Sequence, residues 1–378
     1  MNHAQPLRIA QVAPPMERVP PLAYGGTERV VVELVRELDR RGHEITTFAS
    51  GDSDVPGRLI ATVPGALRPA GYRGDPAPYF YLTMRAVLDR AHEFDVIHSH
   101  LEWASVLLAR VSPVPVVSTF HGRLDLPWAA ETFARPIAGL VAISQNQAST
   151  HPGVAWAGII HNGLTFDGTP FERRRGEALC FVGRVAPEKG IVEAIDIAKA
   201  AGRPLRIAAK WGPTSAERDY YDNIFVPALE TAGSSVEFLG ELAQTERDQL
   251  FAESYAALMP GSWPEPFGLV AIEALACGTP VIARRVGALP EIIRDGVDGF
   301  FGDDLSQLAF HVGRVDELDR AAIRSSVVDR FSATRMTDGY ESVYREMLRS
   351  SRGDLAPEGT RGVWTASDAF PRLVGSGT

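Results

Sequence analysis

The sequence predicts an α/β protein built as two doubly wound, Rossmann-like domains facing a central cleft. Three observations predict it. The chain has 378 residues, more than one core holds, since single cores stop growing at roughly 250–300 residues. Short apolar runs alternate with helix-length amphipathic segments, the pattern of parallel strands with helices on both faces. The alternation breaks in a polar, turn-rich zone over 161–177 and then restarts.

In the first half, residues 7–13 read as a strand. Gly26–Arg40 reads as a helix with Val30, Leu34 and Leu38 on one face; Gly42 stops it and 44–49 is the next strand. Residues 96–98, 115–119 and 139–143 are further short strands. In the second half, 178–182 is a strand, followed by a helix with Ile191, Ala194, Ile195 and Ala198 at i, i+3, i+4, i+7. Residues 205–209, 236–239, 256–259 and 280–283 continue as strands. The predicted domains span 1–165 and 170–332, and ligands are expected between them, beyond the carboxyl ends of the strands. A last helix over 333–350 carries Met336, Tyr340, Val343, Tyr344 and Met347, and is free to cross back to the first domain. The tail over 351–378, rich in Gly, Ser, Pro and Arg, reads as poorly ordered, with Trp364 and Phe370 as its docking groups if it settles on the surface.

Composition narrows the function. A net charge of −9 argues against nucleic acid and anionic membranes as partners. Cys180 and Cys277 sit in apolar runs and read as core thiols in a reducing compartment, so a cytoplasmic protein is expected. No run approaches the roughly 20 apolar residues of a membrane span, and the first eight residues do not read as a leader.

Three segments carry chemistry. In Trp263-Pro264-Glu265-Pro266-Phe267-Gly268-Leu269-Val270-Ala271-Ile272-Glu273, the prolines hold an extended loop around Glu265, and a helix starts near Gly268 and ends near Cys277. Glu265 thus precedes the helix, Glu273 lies on it, and the free amides near Phe267 and Gly268 open into the same space. A sugar, an anion and a ribose suit that arrangement; a helix cap with an exposed glutamate is the plain alternative. In Val182-Gly183-Arg184-Val185-Ala186-Pro187-Glu188-Lys189-Gly190, Arg184 and Lys189 stand at a strand-to-helix turn and form a pyrophosphate clamp, unless they are merely solvated. In Tyr24-Gly25-Gly26-Thr27-Glu28-Arg29, Gly25 and Gly26 let a phosphate approach a helix start, without a dinucleotide fingerprint. His98 and His100 stand at i, i+2 on a strand end, as metal ligands, as an acceptor-cleft rim, or as plain structural residues. Asp303-Asp304 reads as a turn into a helix cap, and no Asp-x-Asp suggests a metal site.

Over roughly 7–348 the chain resembles retaining glycosyltransferases of family four, which have the GT-B fold. The resemblance rests on Gly25-Gly26, Ser118-Thr119-Phe120-His121-Gly122, His161-Asn162-Gly163, Gly183-Arg184 with Lys189-Gly190, Phe238-Leu239-Gly240, and the Glu265/Glu273 string. It implies a donor on the C-terminal domain, an acceptor on the N-terminal domain, a nucleotide-sugar as substrate with no cofactor, and no obligatory metal. By the same resemblance Arg184 and Lys189 neutralise the leaving pyrophosphate, and Glu265 holds donor-sugar hydroxyls. Phe267, Gly268 and Leu269 open the donor helix, Glu273 binds the ribose, and the Leu239-Gly240-Glu241 turn flanks the base. Gly25-Gly26 closes on the phosphate, and His121 lies beside the anomeric centre. His100, Arg123 and Asn162 fall on the acceptor side. Two departures stand out: Leu164-Thr165 replaces the family's Val-Asp, and Ala209-Lys210-Trp211-Gly212 offers Lys210 either as a third cation at the donor or as a structural lysine. His121-Gly122-Arg123-Leu124-Asp125 is similar to a bacterial subgroup that glucosylates small molecules such as pterins.

The expected reaction moves a hexose, from UDP-glucose first and GDP-mannose second, to a small-molecule or glycan acceptor by a front-face route. Rival readings are an epimerase or phosphorylase on the same fold, and a non-catalytic nucleotide-sugar-binding partner.

Overall fold

The computed structural model describes residues 5–22, 25–212 and 214–353. Trp364, Phe370 and most of the expected tail lie outside them.

The first sheet contains β1 (Arg8–Val12), β2 (Glu44–Ser50), β3 (Arg58–Val63), β4 (Val96–Ser99), β5 (Val116–Thr119), β6 (Leu140–Ala142) and β7 (Gly158–Ile159), in the order β3-β2-β1-β4-β5-β6-β7. The second contains β8 (Leu179–Val185), β9 (Leu205–Trp211), β10 (Val236–Gly240), β11 (Ala257–Met259), β12 (Val281–Ala283) and β13 (Gly299–Phe301), in the order β10-β9-β8-β11-β12-β13. The paired strands run parallel, from Arg8 opposite Glu44 in the first sheet to Leu179 opposite Leu205 in the second. Strand order therefore reverses at β1/β4 and at β8/β11. In such sheets the crevice at the switch point takes the ligand, and here both crevices open on one cleft.

β3, β7, β13 and the helix Ala77–Leu88 escape a sequence reading. β3 is a half-exposed edge strand, and β7 has two residues, too few for a periodic signal.

The helix Gly26–Arg40 buries Val30, Val31, Leu34, Val35 and Leu38 against the first sheet; Gly42, at φ 85°, turns the chain out of it. The last helix, Ala333–Gly353, belongs to the same core. It packs Met336, Tyr340, Val343 and Tyr344 among Ile9, Val31 and Val117. The chain thus crosses back from the second sheet to cover the first. Arg41 and His43 tie that crossing down through Glu341, with His43 Nε2 2.9 Å from its carboxylate.

The second core holds one internal cation. Arg320 is buried and donates to the carbonyls of Ser254 (2.9 Å), Ala252 (2.7 Å), Cys277 (3.3 Å) and Glu172 (2.8 Å), and to Thr279 Oγ1 (3.1 Å). All but the Glu172 carbonyl cluster at the carboxyl ends of the helices Gln244–Glu253 and Leu269–Ala276, where the backbone dipole favours a positive charge. Burial lowers the Arg320 pKa to about 10, so it is charged at neutral pH. Arg320→Met strands these carbonyls and is expected to cost about 2–5 kcal/mol. The midpoint of denaturant unfolding measures the loss; an unchanged midpoint refutes the role.

Candidate active site

The cleft between the two sheets has a volume of ≈ 540 Å³, within the range of small-ligand sites. Gly25, Gly26, His121, Arg123 and Asn162 line it from the first half; Arg184, Lys189, Lys210, Glu265, Phe267, Gly268, Leu269 and Glu273 line it from the second. The fold brings these sequence-predicted positions together. Tyr24 lies outside the described residues.

The wall contributed by the second half is built from two turns zipped by glycine. Gly190 has φ 74°, and a Cβ there would stand 2.7 Å from Gly261 N. A Cβ on Gly261 would stand 2.4 Å from Glu188 O. Trp263 N donates to the same Glu188 carbonyl at 3.1 Å. The cationic turn and the glutamate loop therefore share one backbone contact that tolerates no side chain. Gly287 (φ 58°) backs the loop from behind: its Cβ would meet Glu265 N at 2.4 Å.

The cations of this wall are paired with carboxylates. Lys189 bonds Glu265, Arg184 bonds Glu217 and lies 3.0 Å from Glu188, and Lys210 lies 3.4 Å from Glu241. The sequence reading took Arg184 and Lys189 as an open clamp. An entering anion must instead exchange with these carboxylates, which hold the side chains extended across the turn. Trp263 receives Arg123 at 4.7 Å from one half and Lys189 at 5.6 Å from the other, so one ring bridges both walls.

Glu273 is buried and pairs with Arg29 of the opposite half; Arg247 NH2 also lies 3.3 Å away. Burial, then the charge of Arg247, lowers the Arg29 pKa to about 10. Gly26 faces Leu269 so closely that a Cβ would stand 3.3 Å from its Cδ1. The amino ends of Gly26–Arg40 and Leu269–Ala276 thus meet at the cleft. Ser144 Oγ donates to Pro266 O at 2.7 Å, and Glu291 accepts from Gln145 N, Asn146 N and His161 Nε2 at 2.7–2.9 Å. These bonds also cross between the halves.

His121 ends a buried polar chain. Gln11 Nε2 donates to Tyr344 OH (3.2 Å), and that hydroxyl donates to His98 Nδ1 (2.7 Å). His98 Nε2 donates to Thr119 Oγ1 (2.8 Å), which donates to Tyr340 OH (3.1 Å). Gln11 Oε1 accepts from His100 Nε2 (3.0 Å), so His100 Nδ1 accepts from His121 Nε2 (2.9 Å). His121 is left with its Nδ1 lone pair at the cleft wall. Burial lowers the His121 pKa to about 4 and those of His98 and His100 well below the ordinary value, so the chain is neutral at pH 7.

Three expectations are corrected. His100 does not rim the cleft; it is fully buried behind His121. Of the expected Leu239-Gly240-Glu241 turn, Glu241 lines the cleft with Leu242 after it, while Leu239 and Gly240, which turns at φ 71°, do not. The sequence reading gave no role to Arg29, Glu102, Arg247, Trp263 or Glu291. Arg29 and Trp263 stood inside motifs already singled out; Glu102, Arg247 and Glu291 carry no local signal.

The fold and cleft define a glycosyltransferase of the GT-B kind, two parallel-sheet domains facing each other. The profile described as Glycosyltransferase Family 4 matches residues 24–163, and Glycosyl transferases group 1 matches 170–313. The chain belongs to glycosyltransferase family 4. It is 28% identical to glycogen synthase of Mycobacterium tuberculosis, covering 90% of this chain and 94% of that one. It is 29% identical to D-inositol 3-phosphate glycosyltransferase of Mycobacterium leprae, covering 86% and 89%. The crystal structure of Anabaena HepE in complex with UDP and glucose superposes with a TM-score of 0.69 at 19% identity, over 90% of this chain and 100% of that one.

Gly261→Ala is expected to wedge the two glycine-zipped turns apart. Overpacking of this kind costs about 1–3 kcal/mol, and nucleoside-diphosphate affinity should fall at least about tenfold. Calorimetric titration beside a melting curve tests this; full affinity sinks it. A second expectation concerns Glu28, which is buried at the cleft wall. Burial, aided by Glu17, raises its pKa to about 7 from the ordinary 4.5. The folded state then holds a proton that the unfolded state has released, so this term loses stability as pH rises from 4.5 to 7. Glu28→Gln should stabilise the protein by about 1–3 kcal/mol above pH 7, with the gain gone near pH 4.5. Melting curves across pH measure it; a gain that grows on acidification contradicts it.

Proposed function

We propose that this chain transfers a hexose from a nucleotide-sugar to a hydroxyl acceptor with retention and without a metal. UDP-glucose is the first donor choice and GDP-mannose the second. The observation that carries this reading is the convergence of Arg184, Lys189, Glu265 and the amino end of Leu269–Ala276 on one wall, facing the Gly25-Gly26 turn. Helix amides and two cations suit a diphosphate. The Lys189–Glu265 pair offers a cation to phosphate and a carboxylate to sugar hydroxyls side by side. Lys210 adds a third positive charge to that wall.

In this reading the C–O bond to the phosphate loosens first and the sugar gains positive character. The cations stabilise the charge that gathers on the leaving diphosphate. The acceptor enters on the same face, and its proton passes to the departing phosphate. Glu265 and Glu273 are engaged with Lys189 and with Arg29 and Arg247, which argues for binding roles over a covalent sugar intermediate. The cationic side chains do the work that a metal does in other transferases, so activity should survive chelation.

A thermal-shift screen against UDP-, GDP-, ADP- and dTDP-sugars tests the donor. A ligand at 100 times its dissociation constant adds about 2.7 kcal/mol. Arg184→Ala or Lys189→Ala should cut turnover by about two orders of magnitude. Both side chains are partly exposed, at 28% and 19%, so melting should shift little. Near-normal turnover of either variant with saturating donor refutes the clamp. Production of free sugar or an epimerised donor without acceptor favours the rival enzymes, and binding without turnover favours the non-catalytic partner.

A further inference from the structure

Glu102 stands at the carboxyl end of β4, just before the helix Trp103–Val111. Its backbone has φ 51° and ψ −131°, the single positive φ at a non-glycine among the described residues. Such a conformation costs about 1–3 kcal/mol, and glycine would remove the strain. A glutamate held there is held for its side chain.

One carboxylate oxygen has a structural task. Oε1 accepts from His121 N at 2.9 Å and Gly122 N at 3.1 Å, fixing the segment that carries His121. The other oxygen, Oε2, has no hydrogen-bond partner among the described residues and belongs to the wall of the cleft. It lies 3.6 Å from the point where a Cβ on Gly122 would stand. Burial pushes the Glu102 carboxyl up to about 7, against the pull of the two amides.

The same wall offers a second acceptor atom. Asn162 is 3% exposed, and its Oδ1 is buried without a partner. With the lone pair at His121 Nδ1, this side of the cleft holds three atoms that lack a hydrogen-bond donor, of which the Asn162 oxygen is buried. Its cations are committed: Arg29 to Glu273, Arg123 to Asp125 through two bonds of 2.5–2.7 Å, and Arg68 toward Glu17 at 3.5 Å. The cations of the other wall are paired too, so pairing alone does not bar an anion; what this wall adds is two carboxyl groups outside those pairs, Glu28 and Glu102, which a phosphate would have to face.

We propose that Glu102 binds the acceptor through Oε2, taking a hydrogen bond from the hydroxyl to be glycosylated, and that the acceptor is an uncharged or cationic polyol rather than a phosphorylated one. The assignment rests on the transferase reading above.

Glu102→Gln is the discriminating variant. Its amide oxygen can still accept from the His121 and Gly122 amides, while its NH₂ turns the cleft-facing acceptor into a donor. Glu102→Ala loses both functions. The probes are UDP by calorimetry, and UDP-glucose turnover with myo-inositol or D-inositol 3-phosphate as acceptor. Glu102→Gln should bind UDP within about twofold of the original chain, yet lose about 10- to 100-fold in turnover, the worth of one hydrogen bond to a charged group. Glu102→Ala should lose at least as much and also melt lower. Myo-inositol should be used in preference to its phosphate. Glu102→Gln with unchanged turnover, or faster reaction with the phosphate than with the neutral polyol, overturns the proposal. If the original chain binds no nucleoside diphosphate, the transferase reading fails instead, and that result is visible before either variant is made.

Discussion

The cleft depends on a charge pair that spans it. Arg29 reaches from the first helix to Glu273 on the opposite half, and Arg247 shares the same carboxylate. The side chains are 18% and 3% exposed, so water screens the pair poorly, and losing Glu273 strands Arg29 in a dry wall. Separating the two halves would also strip the Gln145 and Asn146 amides from Glu291 and the Ser144 hydroxyl from Pro266. The ion pair thus crosses the cleft beside the place where Gly26 and Leu269 bring the two helix amino ends together. The distance between those ends decides whether one anion can touch both.

Around this fixed span the walls differ in chemistry. The donor-side wall is made of cations held by carboxylates, a poised arrangement in which a stronger anion displaces a weaker one. The opposite wall pairs its arginines as well, but adds acceptor atoms of Glu102 and His121 that lie outside those pairs. His121 is kept uncharged by burial and oriented by a chain of neutral bonds through His100 and Gln11 to Tyr344. Burial, rather than the chain itself, keeps this imidazole uncharged, since a protonated His121 would make the same Nε2–H bond to His100 Nδ1. The polarity difference between walls follows from these two kinds of bonding.

Much of this was legible in the sequence. Alternating apolar runs and amphipathic segments gave the two sheets, and the helix Gly26–Arg40 was read with its observed bounds. The turns around Arg184 and Glu265 carry local signals, proline and glycine, that survive folding unchanged. The failures are nonlocal. His98 and His100 share a strand face, as their spacing requires, but the tyrosine that covers His98 lies 246 positions later. Glu102 precedes a helix like many glutamates; its left-handed backbone and its contact with the next strand's turn appear only in three dimensions. In the Leu239-Gly240-Glu241 turn the first two residues were misplaced and the third was not, because the glycine turn carries the residues after it into the cleft. Pairing of Arg184 with Glu217 was hidden for the same reason, since a helix from another crossover supplies the carboxylate.

The crossing of Ala333–Gly353 has a consequence for how the molecule is made. A ribosome releases the first sheet early, but the side chains that finish its core, Met336 through Tyr344, arrive after the whole second domain. During synthesis the face that bears His98, Thr119 and Gln11 waits uncovered, while the second domain can complete itself. The half that begins the chain is thus the last to close. In evolution or engineering, the first domain travels as an intact module only together with the final helix, so a clean exchange at the linker trades an incomplete body for a complete one.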